Sequence, residues 1–140
     1  MSENQTTKGL LFIISGPAGS GKTTICEGLI AKENVHRIIT TTTRSPRSGE
    51  VNGVDYNFLS KTLFEKMIAK DYFYEYALVH NNHYGTEKKS IIDPIMNGHN
   101  CILNIDVQGA RTIREKAETD IVLKDQVKTI FIMPPSVEAL

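Results

Sequence analysis

Two rhythms of apolar and polar positions divide this chain. Leu10-Leu11-Phe12-Ile13-Ile14 is an unbroken apolar run that stops at Ser15-Gly16-Pro17, which predicts a strand buried on both faces, as in a parallel sheet. Residues 22–32 then place Ile25, Leu29 and Ile30 on one helical face. Cys101-Ile102-Leu103-Asn104-Ile105 repeats the buried-strand pattern, residues 108–116 are expected to be helical, and residues 127–133 form a third strand stopped by Pro134-Pro135. Strand, helix, strand, helix, strand implies an α/β fold with a parallel sheet and helices on both faces.

Between these segments the rhythm changes. Residues 37–43 are rich in β-branched side chains and predict a strand, residues 49–53 a turn, and Tyr56-Asn57-Phe58-Leu59 another strand. Thr62-x-x-Glu65 has the form of a capping box, with Leu63, Phe64, Met67 and Ile68 as the apolar stripe of the helix behind it. Residues 73–79 read as a strand. A further helix is expected from near Glu87, with Ile91, Ile92, Ile95 and Met96 inward, a kink or restart at Pro94 with Asp93 as a new cap, and an end at Gly98. The expectation is one domain over 1–140, with 1–36 and 100–140 as the core and 37–99 as a mixed α+β insertion.

Gly16-Pro17-Ala18-Gly19-Ser20-Gly21-Lys22-Thr23 fits GxxxxGK[ST] without a mismatch. Glycines let the backbone curl so that several N–H groups converge on one phosphate, and the helix that follows adds its positive end. Lys22 is expected to reach the β- and γ-phosphates and the Thr23 hydroxyl to sit on Mg²⁺. The buried strand before the motif and the helix after it are the context a phosphate loop needs. Alone, it marks a P-loop NTPase or kinase and no more.

A second constellation follows. Thr40-Thr41-Thr42-Thr43-Arg44-Ser45-Pro46-Arg47-Ser48-Gly49-Glu50 sets two arginines three apart around a proline. Guanidinium groups bind phosphate oxygens as a planar fork, and Pro46 would stiffen the loop that aims them. Tyr56, Glu75, Tyr84 and Thr86 lie downstream in the same insertion. Each has a plainer reading: solvated arginines, packing tyrosines, a surface Glu75. Asp106, at the end of an apolar run, is either a Walker-B-type carboxylate or a helix N-cap.

TTTRSPRSGEVNGVDYNF, YFYEYALVHNNHYGT and CILNIDVQGA together resemble the nucleotide-binding segments of guanylate kinases, and the similarity runs from about Leu10 to the last residue. The resemblance implies a P-loop NTPase-type α/β fold with a GMP-binding insertion, and transfer of the ATP γ-phosphate to GMP. It implies Gly16, Pro17, Ala18, Gly19, Ser20, Gly21, Lys22, Thr23 and Thr24 as the ATP-binding set. Thr40, Arg44, Arg47, Tyr56, Glu75, Tyr84, Thr86 and Asp106 would bind GMP. Lys22, Arg44 and Arg47 would act in catalysis, and Thr23 and Asp106 would meet Mg²⁺, Asp106 through water. Glu75 would accept from guanine N1–H and the 2-amino group, donors that adenine does not present. Two anionic substrates must meet, so closure of the insertion over the core is expected.

Two departures accompany the resemblance. Asn104 stands where the family usually carries an acid. The family pattern also continues past Leu140 into an arginine-bearing lid, a last core strand and a last helix, so a C-terminal truncation is expected. A lid arginine of this kind is worth about 10³–10⁵ in rate. The alternative to the kinase is therefore a GMP-binding or protein-interaction module of the same shape with little catalysis.

Composition narrows the partners. Lys plus Arg equals Asp plus Glu at 16 each, against the basic excess of a general nucleic-acid binder. The longest apolar run is too short to span a bilayer, and residues 1–7 lack the apolar region of a signal peptide. Cys26 and Cys101 are far apart and form no CxxC pair, as expected of reduced thiols in a cytoplasmic protein. His80 and His83 are read as a loop or hairpin pair and not as metal ligands, and His36 and His99 stand alone.

Overall fold

The computed structural model describes residues 7–17 and 21–133. Among them run β1 (Leu11–Ser15), α1 (Lys22–Glu33), β2 (His36–Arg37), β3 (Thr41–Thr42), β4 (Asn57–Phe58) and α2 (Lys61–Ala69). These are followed by β5 (Phe73–Val79), β6 (Asn82–Glu87), α3 (Lys88–Met96), β7 (Cys101–Asn104), α4 (Val107–Ala117) and β8 (Val127–Phe131). They form two compact units, Met1–Ile38 with Ile92–Leu140, and Ile39–Ile91.

The first unit is built on a parallel sheet of order β2-β7-β1-β8. The apolar run of β1 occupies an interior position, and Leu11, Ile13 and Ile14 have no exposure. Strand alternation sends Phe12 and Ile14 to one face, where they pack with Ile102 against Cys26, Leu29 and Ile30 of α1. The opposite face carries Ser15, which lines a small cleft with Val107 and Ala110 of α4. Ala110, Ile113 and Ala117 of α4 are buried. The sheet therefore has a helix on each face. β8 is an edge strand, with Ile130 and Phe131 exposed.

The single strand expected over 37–43 is two strands in two sheets. His36 and Arg37 pair with Cys101 and Ile102 of β7, and the Ile38 N–H donates to the Ile102 carbonyl. Thr41 and Thr42 pair instead with β4 and β6. β-Branched content signals extended backbone but does not say which sheet receives it. The other end of the insertion also differs, because the unit boundary falls inside α3. Pro94 neither breaks this helix nor makes Asp93 a new cap: α3 is continuous across it, and Asp93 offers its carbonyl, to the Asn97 N–H and the Asn97 side-chain amide. Gly98 and His99 close the helix by donating to the Ile95 and Pro94 carbonyls. The Ile95 carbonyl also accepts from the Gly9 N–H, a bond within the first unit.

The second unit holds a mixed sheet of order β4-β3-β6-β5 against α2. Helix α2 is capped by Ser60, whose Oγ accepts from the Leu63 N–H at 3.2 Å, and not by the expected Thr62. The cap lies two residues earlier than expected, and the inward face is narrower than the expected stripe. Phe64 is fully buried, whereas Leu63, expected in the stripe, is 46% exposed. Phe64 stacks on Phe73 at 4.4 Å and on His83 at 5.0 Å. A Cβ at Gly85 would strike both phenylalanine rings, so His83 and Gly85 face α2. Tyr84 and Thr86 therefore face the other way. His80 and Asn81 form the two-residue turn between β5 and β6, both with positive φ.

Phe64→Ala should cost about 3–5 kcal/mol in urea unfolding, the range for an emptied aromatic core site. Leu63→Ala should stay within about 0.5 kcal/mol. Equal losses would mean that α2 is rotated from the orientation described.

Candidate functional site

The phosphate loop leaves β1 at Gly16 and enters α1 at Gly21; Ala18, Gly19 and Ser20 lie outside the described residues. Gly21 is the α1 N-cap, with φ 87°, a left-handed conformation that favours glycine. Among the described residues no side chain caps this helix, which suits its first-turn amides to an anion. Lys22 is half-buried, and its Nζ donates to the Gly16 carbonyl at 2.9 Å, so the ammonium lies folded across the loop. Thr23 and Thr24 are exposed.

The Thr23 hydroxyl receives a long hydrogen bond from Asn104 Nδ2, at 3.5 Å. Asn104 ends β7, and Asp106 two residues on is the N-cap of α4: Oδ1 accepts from the Gly109 N–H at 2.7 Å. Of the two readings for Asp106, the cap is formed. It engages one carboxylate oxygen, and the side chain is exposed. Asp106 lies in the first unit, apart in sequence and in unit from the other residues expected to bind GMP.

In the second unit, buried Thr42 sets the start of the arginine loop. Its hydroxyl donates to the His83 carbonyl at 2.8 Å and accepts from the Arg44 N–H at 3.1 Å. The Arg44 guanidinium lies 5.1 Å from the Tyr56 ring centroid and 6.0 Å from that of Phe58. The hydroxyls of Tyr84 and Tyr56 lie close enough to favour its charged form. The two tyrosine rings meet edge to face at 6.2 Å. Three expected residues are thus one cluster. Arg47 is exposed, and its backbone N–H donates to Glu50 Oε1. Thr40 is half-buried, and its carbonyl receives the Asn57 N–H.

Glu75 and Thr86 are also brought together. Phe73 pairs with Glu87 but Glu75 pairs with Thr86, a one-residue irregularity in β5. Without it Glu75 would share the α2 face with Phe73. With it, Glu75 joins Thr86 and Tyr84 on the opposite face. The carboxylate is 6% exposed and accepts from the Thr86 hydroxyl at 3.4 Å. Tyr84 and Thr86 are two strand residues apart, about 7 Å. One face of β6 therefore presents a cationic cluster at one end and a buried carboxylate at the other.

Glu50 belongs to this site although sequence reasoning did not single it out. It accepts from Arg44 Nη1 at 2.9 Å and Nη2 at 3.0 Å. Hydrogen bonds from Arg44, then from the Arg47 N–H, pull its carboxyl down to about 2. The same carboxylate pushes the Arg44 guanidinium up. The available signal was an acid closing a loop with two cations. Burial pushes the Cys26 thiol up and the Cys101 thiol to about 11, so both stay protonated near neutrality. His83 is a packing residue stacked on Phe64. Among the described residues no group of three or more His, Cys, Asp or Glu could hold a metal ion, and no helix is long and apolar enough to cross a membrane.

The guanylate kinase family model matches residues 8–140. A guanylate kinase of Clostridium perfringens strain 13 is 48% identical over 138 residues, covering 98% of this chain and 61% of the relative. One from Clostridium acetobutylicum is 46% identical over 133 residues, covering 95% and 60%. The crystal structure of guanylate kinase from Anaplasma phagocytophilum superposes with a TM-score of 0.74 at 30% identity, covering 96% of this chain and 65% of that one. The chain thus spans about three-fifths of the length of the curated relatives it matches.

Two outcomes follow from this geometry. In the unfolded chain Glu50 titrates near 4.5, and in the folded chain near 2. Its contribution to stability is complete above about pH 4.5 and is lost as pH falls toward 2. The stability gap between the unmodified chain and Glu50→Gln, from urea midpoints, should narrow over that window; a pH-independent gap would contradict the pairing. Asp106→Ala should cost about 0.5–2 kcal/mol through loss of the α4 cap, while Asp106→Asn should cost much less.

Proposed function

The chain belongs to the guanylate kinase family, and on that premise we propose that it transfers the γ-phosphate of ATP to GMP, giving ADP and GDP. The observation that carries the base assignment is the buried Glu75 carboxylate beside Thr86. Guanine offers adjacent N1–H and 2-amino donors that match two carboxylate oxygens. Adenine offers neither, and a buried acceptor without its donor is penalised, which is how such a site rejects the wrong base. Arg44, Tyr56 and Tyr84 supply donors for a phosphate on the same strand face, and Arg47 adds a second guanidinium from the same loop.

A GMP phosphate oxygen attacks the γ-phosphorus; the bond from that phosphorus to the β,γ-bridging oxygen breaks, and ADP leaves. The nucleophile is already an anion, so no general base is needed. Positioning and charge neutralisation then do the catalysis. Lys22 swings from the Gly16 carbonyl to the β- and γ-phosphates, and the uncapped start of α1 holds the phosphates through backbone amides. Thr23 and Asp106 would hold Mg²⁺ carried by ATP, because a hydroxyl and a carboxylate oxygen are the hard donors it prefers. When bound, Mg²⁺ neutralises phosphate charge. Asn104, bonded to the Thr23 hydroxyl, would hold that hydroxyl in place. The substrate pair and two reduced thiols favour a cytoplasmic setting.

Calorimetric titration with GMP and AMP, alongside an ADP-release assay with ATP and Mg²⁺, tests the reading. GMP should bind at least about 100-fold more tightly than AMP, and Glu75→Gln should erase most of that ratio. An unchanged ratio in Glu75→Gln, or equal binding of the two nucleotides, would remove guanine recognition from Glu75.

A further inference from the structure

A guanidinium has five N–H donors, and Arg44 has committed three of them away from the tyrosines. Nη1 gives one to the Ser45 carbonyl at 3.0 Å and one to Glu50 Oε1 at 2.9 Å, and Nη2 gives one to Glu50 Oε2 at 3.0 Å. What is left is the Nε–H and the second Nη2–H, on one edge of the plane, with the Tyr56 and Tyr84 hydroxyls close enough to favour the charged guanidinium. Glu50 reaches this position because the chain turns between Arg47 and Glu50. The Glu50 N–H donates to the Arg47 carbonyl at 3.0 Å, and Gly49 takes φ 85°. Oε1 then serves two donors at once, Arg44 Nη1 and the Arg47 N–H at 2.7 Å. One carboxylate therefore fixes both the orientation of Arg44 and the backbone from which Arg47 projects. The side chains of Arg44 and Glu50 are 11% and 20% exposed, so the pair is largely withdrawn from water.

We propose that Glu50 is a positioning residue for the monophosphate group: it occupies one fork of Arg44 so that the opposite edge, with the hydroxyls of Tyr56 and Tyr84, stands ready for a single phosphate. This rests on the reading of the cluster as the site for the GMP phosphate. An arginine already locked in a planar salt bridge loses little further freedom when its second edge binds an anion. The carboxylate also lowers the net charge of the loop, which suits one phosphate and not a polyphosphate chain. A plain surface ion pair would predict almost no consequence for a ligand when it is removed.

The test compares GMP with guanosine on the unmodified chain, Glu50→Gln and Glu50→Ala, by calorimetry or ligand-observed NMR. The ratio of the two affinities isolates the phosphate, and guanosine alone reports whether the unit still folds and reads the base. The expected result is a loss of about tenfold or more in the ratio for Glu50→Ala, with guanosine binding unchanged. Glu50→Gln should fall between, since its amide oxygen can still accept from the Arg47 N–H. An unchanged ratio in both variants would overturn the proposal. So would tighter GMP binding in Glu50→Ala, which would make Glu50 a competitor of the phosphate. If the unmodified chain bound guanosine as tightly as GMP, the phosphate-site reading itself would fall, and the positioning role with it.

Discussion

The pairing of β5 with β6 slips by one residue between Phe73 and Glu75, and the polar face of the second sheet follows from that slip. Antiparallel partners share a face, so Phe73 opposite Glu87 belongs with His83 and Gly85 against α2. Regular alternation would bring Glu75 to the same apolar side, where an ionised carboxylate against Phe64 would be heavily penalised. The irregularity turns it instead toward Thr86. Burial of Phe64 and placement of Glu75 are thus two results of one register. The close approach at Gly85, where a side chain would strike Phe64 and Phe73, holds that register in place.

The two candidate anion sites are built by different means. The first relies on backbone: a glycine N-cap, a helix start with no side-chain cap, and one lysine that rests on a loop carbonyl. Such a site suits a phosphate chain that runs along the loop. The second relies on side chains held by other side chains. Arg44 is anchored through its backbone by Thr42, through its guanidinium by Glu50, and through its flat face by Tyr56 and Phe58. An arginine fixed from three directions presents a defined edge, which is what recognition of one phosphate group requires.

Asp106 shows how a residue can be read two ways until its neighbours are known, and His83 what a spacing alone does not tell. Asp106 follows a buried strand, where either a metal-facing carboxylate or a helix cap is expected, and α4 takes one of its oxygens for the Gly109 amide. His83 is three residues from His80, a spacing compatible with ligands, but it lies flat on Phe64. Spacing left the cap at Asp106 open, and the packing of α4 forms it with one oxygen; the histidines were read as no ligand pair, and His83 packs on Phe64.

The sequence by itself determined the phosphate-loop motif, the parallel core strands and most of the side chains that cluster around Arg44 and Glu75, because these depend on short-range pattern: a fixed glycine spacing, continuous apolar runs, arginines in one loop. It also carried the family resemblance over nearly its whole length. Tertiary structure decided what depends on which strand lies beside which. It split residues 37–43 between two sheets, moved the α2 cap to Ser60, carried α3 straight through Pro94, and turned Glu75 to the face of Thr86. It also drew Glu50 onto Arg44 across a turn. Each of these is set by pairing energy with residues distant in the chain, or by a loop closing on itself. No local propensity encodes a one-residue slip that reverses a strand's faces.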